Sequence, residues 1–142
     1  MLIGQICVRE ANRDDLEALV GYQLAMASET EGQALDRGVL RDGIASMLSS
    51  QEKGFYMVAE AHGRVVGGLG VTYEWSDWRN GIFWWIQSVY VDSQWRRKGV
   101  YTAMHSRVLE MARSRGDVCG IRLYVERTNH VAKKTYEYLG MA

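Results

Sequence analysis

Proline is absent from all 142 residues, so no proline kink or proline-rich linker punctuates the chain, and its 15 glycines must do so instead. Long apolar runs are absent too. None approaches the roughly 20 residues a membrane helix requires, which argues against a spanning segment. Net charge is missing as well: 17 basic and 17 acidic residues cancel. A neutral chain has no general attraction to nucleic acid, so such a partner would need a local basic patch. Residues 1–5 lack a basic region followed by an apolar stretch, and no secretory signal is expected. Cysteine is sparse. Cys7 and Cys119 lie far apart within or beside apolar segments, which predicts two buried thiols in a reducing compartment rather than a disulfide. Neither has a second Cys or His at ligand spacing, so no metal site is expected, and a cytoplasmic location is the default.

What is present is an ordinary globular composition, 47% apolar and 24% charged, long enough to bury one core. We read residues 1–142 as a single domain without repeats. Residues 6–10 read as a first strand. Asn12 can cap a helix, with Asp14 and Asp15 in its first turn. Leu16, Leu19, Val20, Leu24 and Ala27 recur at helical spacing. A polar stretch, 28–33, separates them from a second helix bearing Leu40, Ile44, Met47 and Leu48 on one face. Runs 55–60 and 65–75 form a hairpin about 61–64, and 82–91 is a long strand after a polar loop. An amphipathic helix follows, with Val100, Met104, Val108, Met111 and Ala112 on its buried stripe. A strand over 121–125 and a helix over about 129–139, closed by Gly140, complete the order βααβββαβα. Antiparallel strands come first. The crossover through the third helix then requires a parallel or splayed pair.

Chemistry concentrates in the loop Gln94-Trp95-Arg96-Arg97-Lys98-Gly99, between a strand and a helix start. Unpaired amides and the helix dipole favour an anion there. Gly99 permits close backbone approach, and Arg96, Arg97 and Lys98 add charge. The natural occupant is a diphosphate. Taken alone, the same turn reads better as a solvated basic loop.

Strand, Arg96-x-x-Gly99, helix, strand, then Asn129-x-x-Ala132-x-x-x-Tyr136-x-x-x-Gly140 resembles the GNAT superfamily of acyl-CoA-dependent N-acyltransferases, from Val8 through Gly140. The resemblance implies an α/β (α+β) fold. Its sheet is mixed and mostly antiparallel, flanked by helices, and a splayed parallel strand pair forms a wedge for CoA. It implies acetyl-CoA as acyl donor and a small-molecule primary amine as acceptor, joined in a ternary complex. Arg96, Arg97, Lys98, Gly99, Val100 and Tyr101 would lie at the pyrophosphate. Val89, Tyr90 and Val91 would offer backbone groups to the pantetheine arm and thioester carbonyl. Asn129 and Ala132 would border the arm, and Tyr136 would donate a proton to the leaving thiolate. A helix cap at Asn129 and a half-buried core aromatic at Tyr136 are the plain alternatives.

Three departures from the family pattern bear on this. Tyr101 stands where Gly or Ala is common, so either the phenol turns into the core or the cofactor shifts. Ser93 replaces a proline before the loop. Gln87 and Ser88 stand where a strand glutamate is common, which leaves the general base open. Glu74, at the end of the third strand, is the candidate base. Glu29 and Glu31, between the first two helices, are the candidate attractors of a cationic amine, or else solvated loop charges.

The remaining polar candidates have plainer expectations. His105 is expected on the exposed side of its helix, and His62 in a turn. His130 stands at a helix start that could approach the cofactor, and Lys133 and Lys134 are within reach of a CoA phosphate. Trp84 and Trp85 must face opposite sides of the sheet, one packing under a helix. A non-catalytic acyl-CoA sensor is the competing function; a cysteine nucleophile lacks a histidine tied to it. Family members usually continue into two more strands beyond Gly140. The strand at 121–125 is therefore expected to show an open edge, covered by a further segment or by a homodimer contact.

Overall fold

The computed structural model describes residues 5–32, 34–123, 134 and 137–140. Strand β1 (Cys7–Glu10) leads into a single 3-10 turn at Arg13–Asp15, then α1 (Leu16–Met26). Asn12 accepts from the Asp14 amide while the Asp15 carboxylate accepts from the Asn12 amide, a reciprocal cap that starts the helix. The polar stretch expected to follow as a loop instead prolongs the helix. Residues Ala27–Glu31 form a π turn, which Gly32 ends in the left-handed region (φ 63°). Helix α2 (Arg37–Leu48) is capped by Asp36, whose side chain accepts from the Val39 amide at 3.0 Å.

Three long strands follow: β2 (Gly54–Ala61), β3 (Arg64–Ser76) and β4 (Gly81–Val91). Helix α3 (Val100–Arg115) then crosses over to β5 (Val118–Leu123). The sheet order is β1-β2-β3-β4-β5, antiparallel at the first three junctions and parallel between β4 and β5. Among the described residues β5 pairs with β4 alone.

Period-2 alternation divides the core into two layers. Tyr56 and Val58 of β2 pack beneath Leu19, Val20 and Ile44 of α1 and α2. Met57, Ala59, Val71, Trp84 and Ile86 pack beneath Val100, Met104, Val108 and Ala112 of α3 on the opposite face. Both stripes anticipated for α2 and α3 are therefore the buried ones. Trp84 is 1% exposed and lies under α3, while Trp85 turns to the other face. Gly67 brings α3 close to β3: a Cβ there would stand 3.0 Å from Val100 Cγ1 and 3.3 Å from the Tyr90 carbonyl.

Two sequence-based expectations fail here. Cys7 is exposed and Cys119 is half-buried, not a pair of buried thiols. Their apolar neighbours are real, but a four-residue edge strand leaves one side uncovered, and sequence does not mark which strands are edges. His105 is 2% exposed, although its helical position reads as polar. It lies beside Met104 next to the buried stripe of α3, and Tyr101 supplies it with a hydrogen-bond partner.

Among the described residues no helix is long and apolar enough to cross a membrane, and no group of three or more His, Cys, Asp or Glu side chains is placed to hold a metal.

Candidate active site

The start of α3 carries the loop singled out by its charges. Asp92 opens it, accepting from the Gln94 amide at 3.1 Å while its own amide donates to the Val66 carbonyl at 2.8 Å. A 3-10 turn at Ser93–Trp95 follows. Arg97 and Gly99 then adopt left-handed backbone, φ 64° and φ 84°. Gly99 is the cap of α3 and, being glycine, offers no side-chain bond to the first amides of the helix. Nothing described lies within 4 Å of where a Gly99 Cβ would be. A helix start with a glycine cap, an open approach and neighbouring cations could hold an anion such as a diphosphate.

The second element is the end of β4. Gly70 pairs with Gln87 and Gly68 with Tyr90, so Ser88 and Val89 together stand opposite Leu69 alone. This is a β-bulge. Ser88 takes φ 56°, which a non-glycine residue adopts at a cost of about 1–2 kcal/mol. Among the described residues β4 pairs with β5 from Ile82 to Ile86, with Leu123 the last of β5 that is described, and β4 runs on to Val91. Val89 and Val91 pack toward α3, and Tyr90 turns to the opposite face, toward α1.

The third element joins the first two. The Tyr90 hydroxyl donates to Glu29 Oε2 at 2.6 Å, and Arg96 Nη2 donates to Glu29 Oε1 at 3.2 Å. Arg96 Nε donates to the Val91 carbonyl at 3.0 Å, and its guanidinium lies 5.1 Å from the Tyr90 ring centroid. The hydrogen bond from Tyr90, and then that from Arg96, hold the Glu29 carboxyl below the usual carboxylate range. Accepting that bond, Glu29 pushes the Tyr90 phenol up, with burial adding to the effect. Tyr22 stacks 5.2 Å from Tyr90 and donates to the Val65 carbonyl at 3.0 Å; burial, foremost, pushes its phenol up to about 12. Beside this cluster a groove of about 390 Å³ runs between α1 and the end of β4, lined by Glu17, Gly21, Tyr22, Tyr90, Asp92 and Ser93 among others.

The remaining candidates are placed as follows. Arg96 bonds back to the Val91 carbonyl, and Arg97, Lys98 and Gly99 are exposed. Lys98 lies 5.4 Å from the Trp95 ring. Tyr101 turns along α3, packing against the core with its hydroxyl 3.0 Å from His105 Nδ1. Of the two alternatives left open for it, the phenol takes the inward one. Val100 is buried.

Glu74 does not stand near the bulge. It is in register with Phe83, five residues before Ser88, or roughly 15 Å along the strand. There it accepts from Trp85 Nε1 at 2.7 Å and Arg122 Nη1 at 3.3 Å. Its distance follows from β3 running antiparallel to β4, so that the end of one meets the start of the other. Gln87, where a glutamate was sought, donates to the Thr72 hydroxyl. His62 is exposed in its turn, 5.9 Å from the Trp95 ring, and Lys134 is exposed. Asn129, His130, Ala132, Lys133 and Tyr136 lie outside the described residues, as does the side chain of Glu31. Sequence reasoning missed Tyr22, Asp92 and the bulge at Ser88. Asp92 alone left a signal, being an Asp two residues before an amide it caps.

Residues 16–141 match the model of the acetyltransferase (GNAT) family. No curated protein matches the chain. Among solved structures, a possible acetyltransferase from Clostridium difficile 630 is 44% identical with a TM-score of 0.89, covering 96% of this chain and 90% of that one. A predicted acetyltransferase with acetyl-CoA, from Clostridium acetobutylicum, is 18% identical with a TM-score of 0.78, covering 96% and 90%. An aminoglycoside acetyltransferase from an uncultured soil metagenomic sample, in complex with trehalose, is 16% identical with a TM-score of 0.77, covering 99% and 90%. At such identities the last two speak for the fold alone.

Proposed function

Because this chain belongs to the acetyltransferase (GNAT) family, we propose that its acyl transfer is N-acetylation: acetyl-CoA donates an acetyl group to the primary amine of a small molecule in a ternary complex. The observation that carries the reading is the start of α3 at Gly99, a glycine cap that offers the first amides no side chain, following a strand bulged at Ser88 and Val89.

The amides that follow Arg97 would hold the diphosphate, with Arg97 and Lys98 supplying positive charge. The β4 backbone at Val89, Tyr90 and Val91 would pair with the pantetheine arm. Acetyl-CoA supplies an activated thioester, in which the bond to sulfur breaks as the bond to nitrogen forms. The protein's share is orientation and proton handling. An alkyl ammonium has a pKa of about 10.4, so the amine must lose a proton before attack. Tyr136, by the family resemblance, would return a proton to the departing thiolate. Asn129 and Ala132 would border the arm by the same argument. Glu31, with Glu29, belongs to the turn after α1 on the acceptor side.

The test is acetyl-CoA turnover over a panel of amines, with Tyr136→Phe beside the wild type. We expect turnover with at least one small amine, and in the variant a lower kcat with acetyl-CoA affinity retained, as for a group acting only in the transition state. Full activity of Tyr136→Phe would leave it a core aromatic. Acetyl-CoA binding without turnover on any amine would turn the reading into that of an acyl-CoA sensor.

A further inference from the structure

We propose that Glu29 is a positioning residue for the acyl donor: it fixes the Arg96 guanidinium, and through it the loop that receives the diphosphate. This rests on reading the start of α3 as the diphosphate site.

The contacts converge from three separate elements. Glu29 belongs to the π turn after α1, Tyr90 to the bulged end of β4, and Arg96 to the loop before α3. Each Glu29 oxygen already has a donor, Tyr90 at 2.6 Å on Oε2 and Arg96 at 3.2 Å on Oε1. The guanidinium is oriented by a further bond, from Nε to the Val91 carbonyl at 3.0 Å, and by the Tyr90 ring beneath it. Arg96 is also the residue from which the backbone passes, from extended φ −68° and ψ 148°, into the left-handed turn at Arg97. Holding its side chain holds the entry to that turn. A loop fixed before the ligand arrives loses less freedom on binding.

The arrangement also bears on the acceptor. A carboxylate whose charge is offset by a guanidinium attracts an ammonium less than a free one does. Glu29 therefore acts on the donor side of the reaction, although it lies on the turn expected to face the amine.

The experiment uses calorimetry with CoA as probe, and steady-state kinetics with an amine the wild type accepts. The variants are Glu29→Gln, Arg96→Gln and the double variant, with Gly99→Val as a control on the diphosphate site. For Glu29→Gln we expect a CoA Kd raised about two- to fivefold, the range for an exposed ion pair. The acceptor KM and the melting temperature should not change. The double variant should be no worse than Arg96→Gln alone, because both substitutions remove one interaction. A raised acceptor KM with unchanged CoA affinity would overturn the proposal and make Glu29 an acceptor contact. Additive effects, or no effect on either substrate, would overturn it as well. If Gly99→Val keeps full CoA affinity, the diphosphate site itself is misplaced and the clasp falls with it. If only Gly99→Val loses affinity, the site stands and the clasp alone is wrong.

Discussion

The Tyr101 hydroxyl lies 3.0 Å from Nδ1 of His105, one turn further along α3. This contact explains how a bulky phenol occupies a position two residues after Gly99, where the family often has glycine or alanine. The ring packs against the core, and its polar end finds a partner inside the fold. The imidazole is buried, and that burial lowers its pKa.

A pH dependence follows from the buried imidazole. Unfolded, the ring titrates at about 6.5. Folded, it resists protonation, so below that value the unfolded chain binds the extra proton and stability falls as pH drops. Above about 6.5 the effect vanishes. We expect a melting temperature that declines from pH 7 toward pH 5, and a flatter decline in His105→Phe, which keeps a ring and deletes the titration. Matching pH curves for the two proteins would assign the dependence to another group.

The backbone at Gly99 makes a second prediction. With φ at 84° and open space before the missing Cβ, substitution there is opposed by backbone strain, not by a clash. Gly99→Val should lose about 1–2 kcal/mol of stability from the left-handed backbone. It should also weaken acetyl-CoA by about tenfold or more, because a branched side chain would stand where the diphosphate approaches. Denaturant melts and calorimetry separate the two effects. Unchanged affinity in a folded variant would remove the diphosphate from this loop.

Local pattern accounts for what was legible in advance. The helical stripes at Ile44 and at Met104 and Val108, the three long strands, the Asn12 cap and the basic glycine loop all depend on residues close in sequence. What was not legible depends on partners far apart. Glu29 meets Tyr90 and Arg96 across 61 and 67 residues, so its charge read as an attractor of the amine or else as a solvated loop group. Ser88 adopts left-handed backbone because two strands disagree in register, and serine gives no sign of it. The π turn extends α1 through polar residues that ordinarily end a helix. Glu74 was assigned by proximity to a strand end, yet antiparallel pairing sends that end away from the bulge.

Asp15 supplies a test of stability at the other end of the sheet. Its carboxylate accepts from Arg9 Nη1 at 2.8 Å and Nη2 at 3.0 Å, and from the Asn12 amide at 2.8 Å. Burial opposes the charge, but these bonds prevail and lower its pKa. A lowered folded pKa means the stabilisation is complete above the unfolded value, about 3.9, and is lost as pH falls through the folded one. Asp15→Asn should lose about 2 kcal/mol at pH 7, combining a weakened cap with a lost charge partner for Arg9. Arg9 keeps Glu60 at 2.6 Å, which limits the loss. The difference between variant and wild type should narrow below pH 3. A constant difference down to pH 2 would show that the carboxylate's charge contributes nothing.

Glu74 offers the sharpest separation between position and chemistry. A general base must come within hydrogen-bond reach of the amine it deprotonates, directly or through one water. Glu74 lies in register with Phe83, at the opposite end of β4 from the bulge and from the loop before α3. Its Oε1 is occupied by Trp85 and Arg122, and the Arg122 guanidinium is itself 3.6 Å from the Phe83 ring centroid. These contacts make Glu74 a cross-strand tie between β3, β4 and β5. Glu74→Gln retains an oxygen for Trp85 and loses only an exposed ion pair, worth about 0–1 kcal/mol of stability. We therefore expect kcat within about twofold of wild type and an unshifted pH–rate profile, because nothing that titrates in turnover has been removed. A loss of about a hundredfold in kcat, with the acidic limb of that profile abolished, would return Glu74 to the role of base. It would also require the acceptor to lie at the start of β4 rather than at its bulged end.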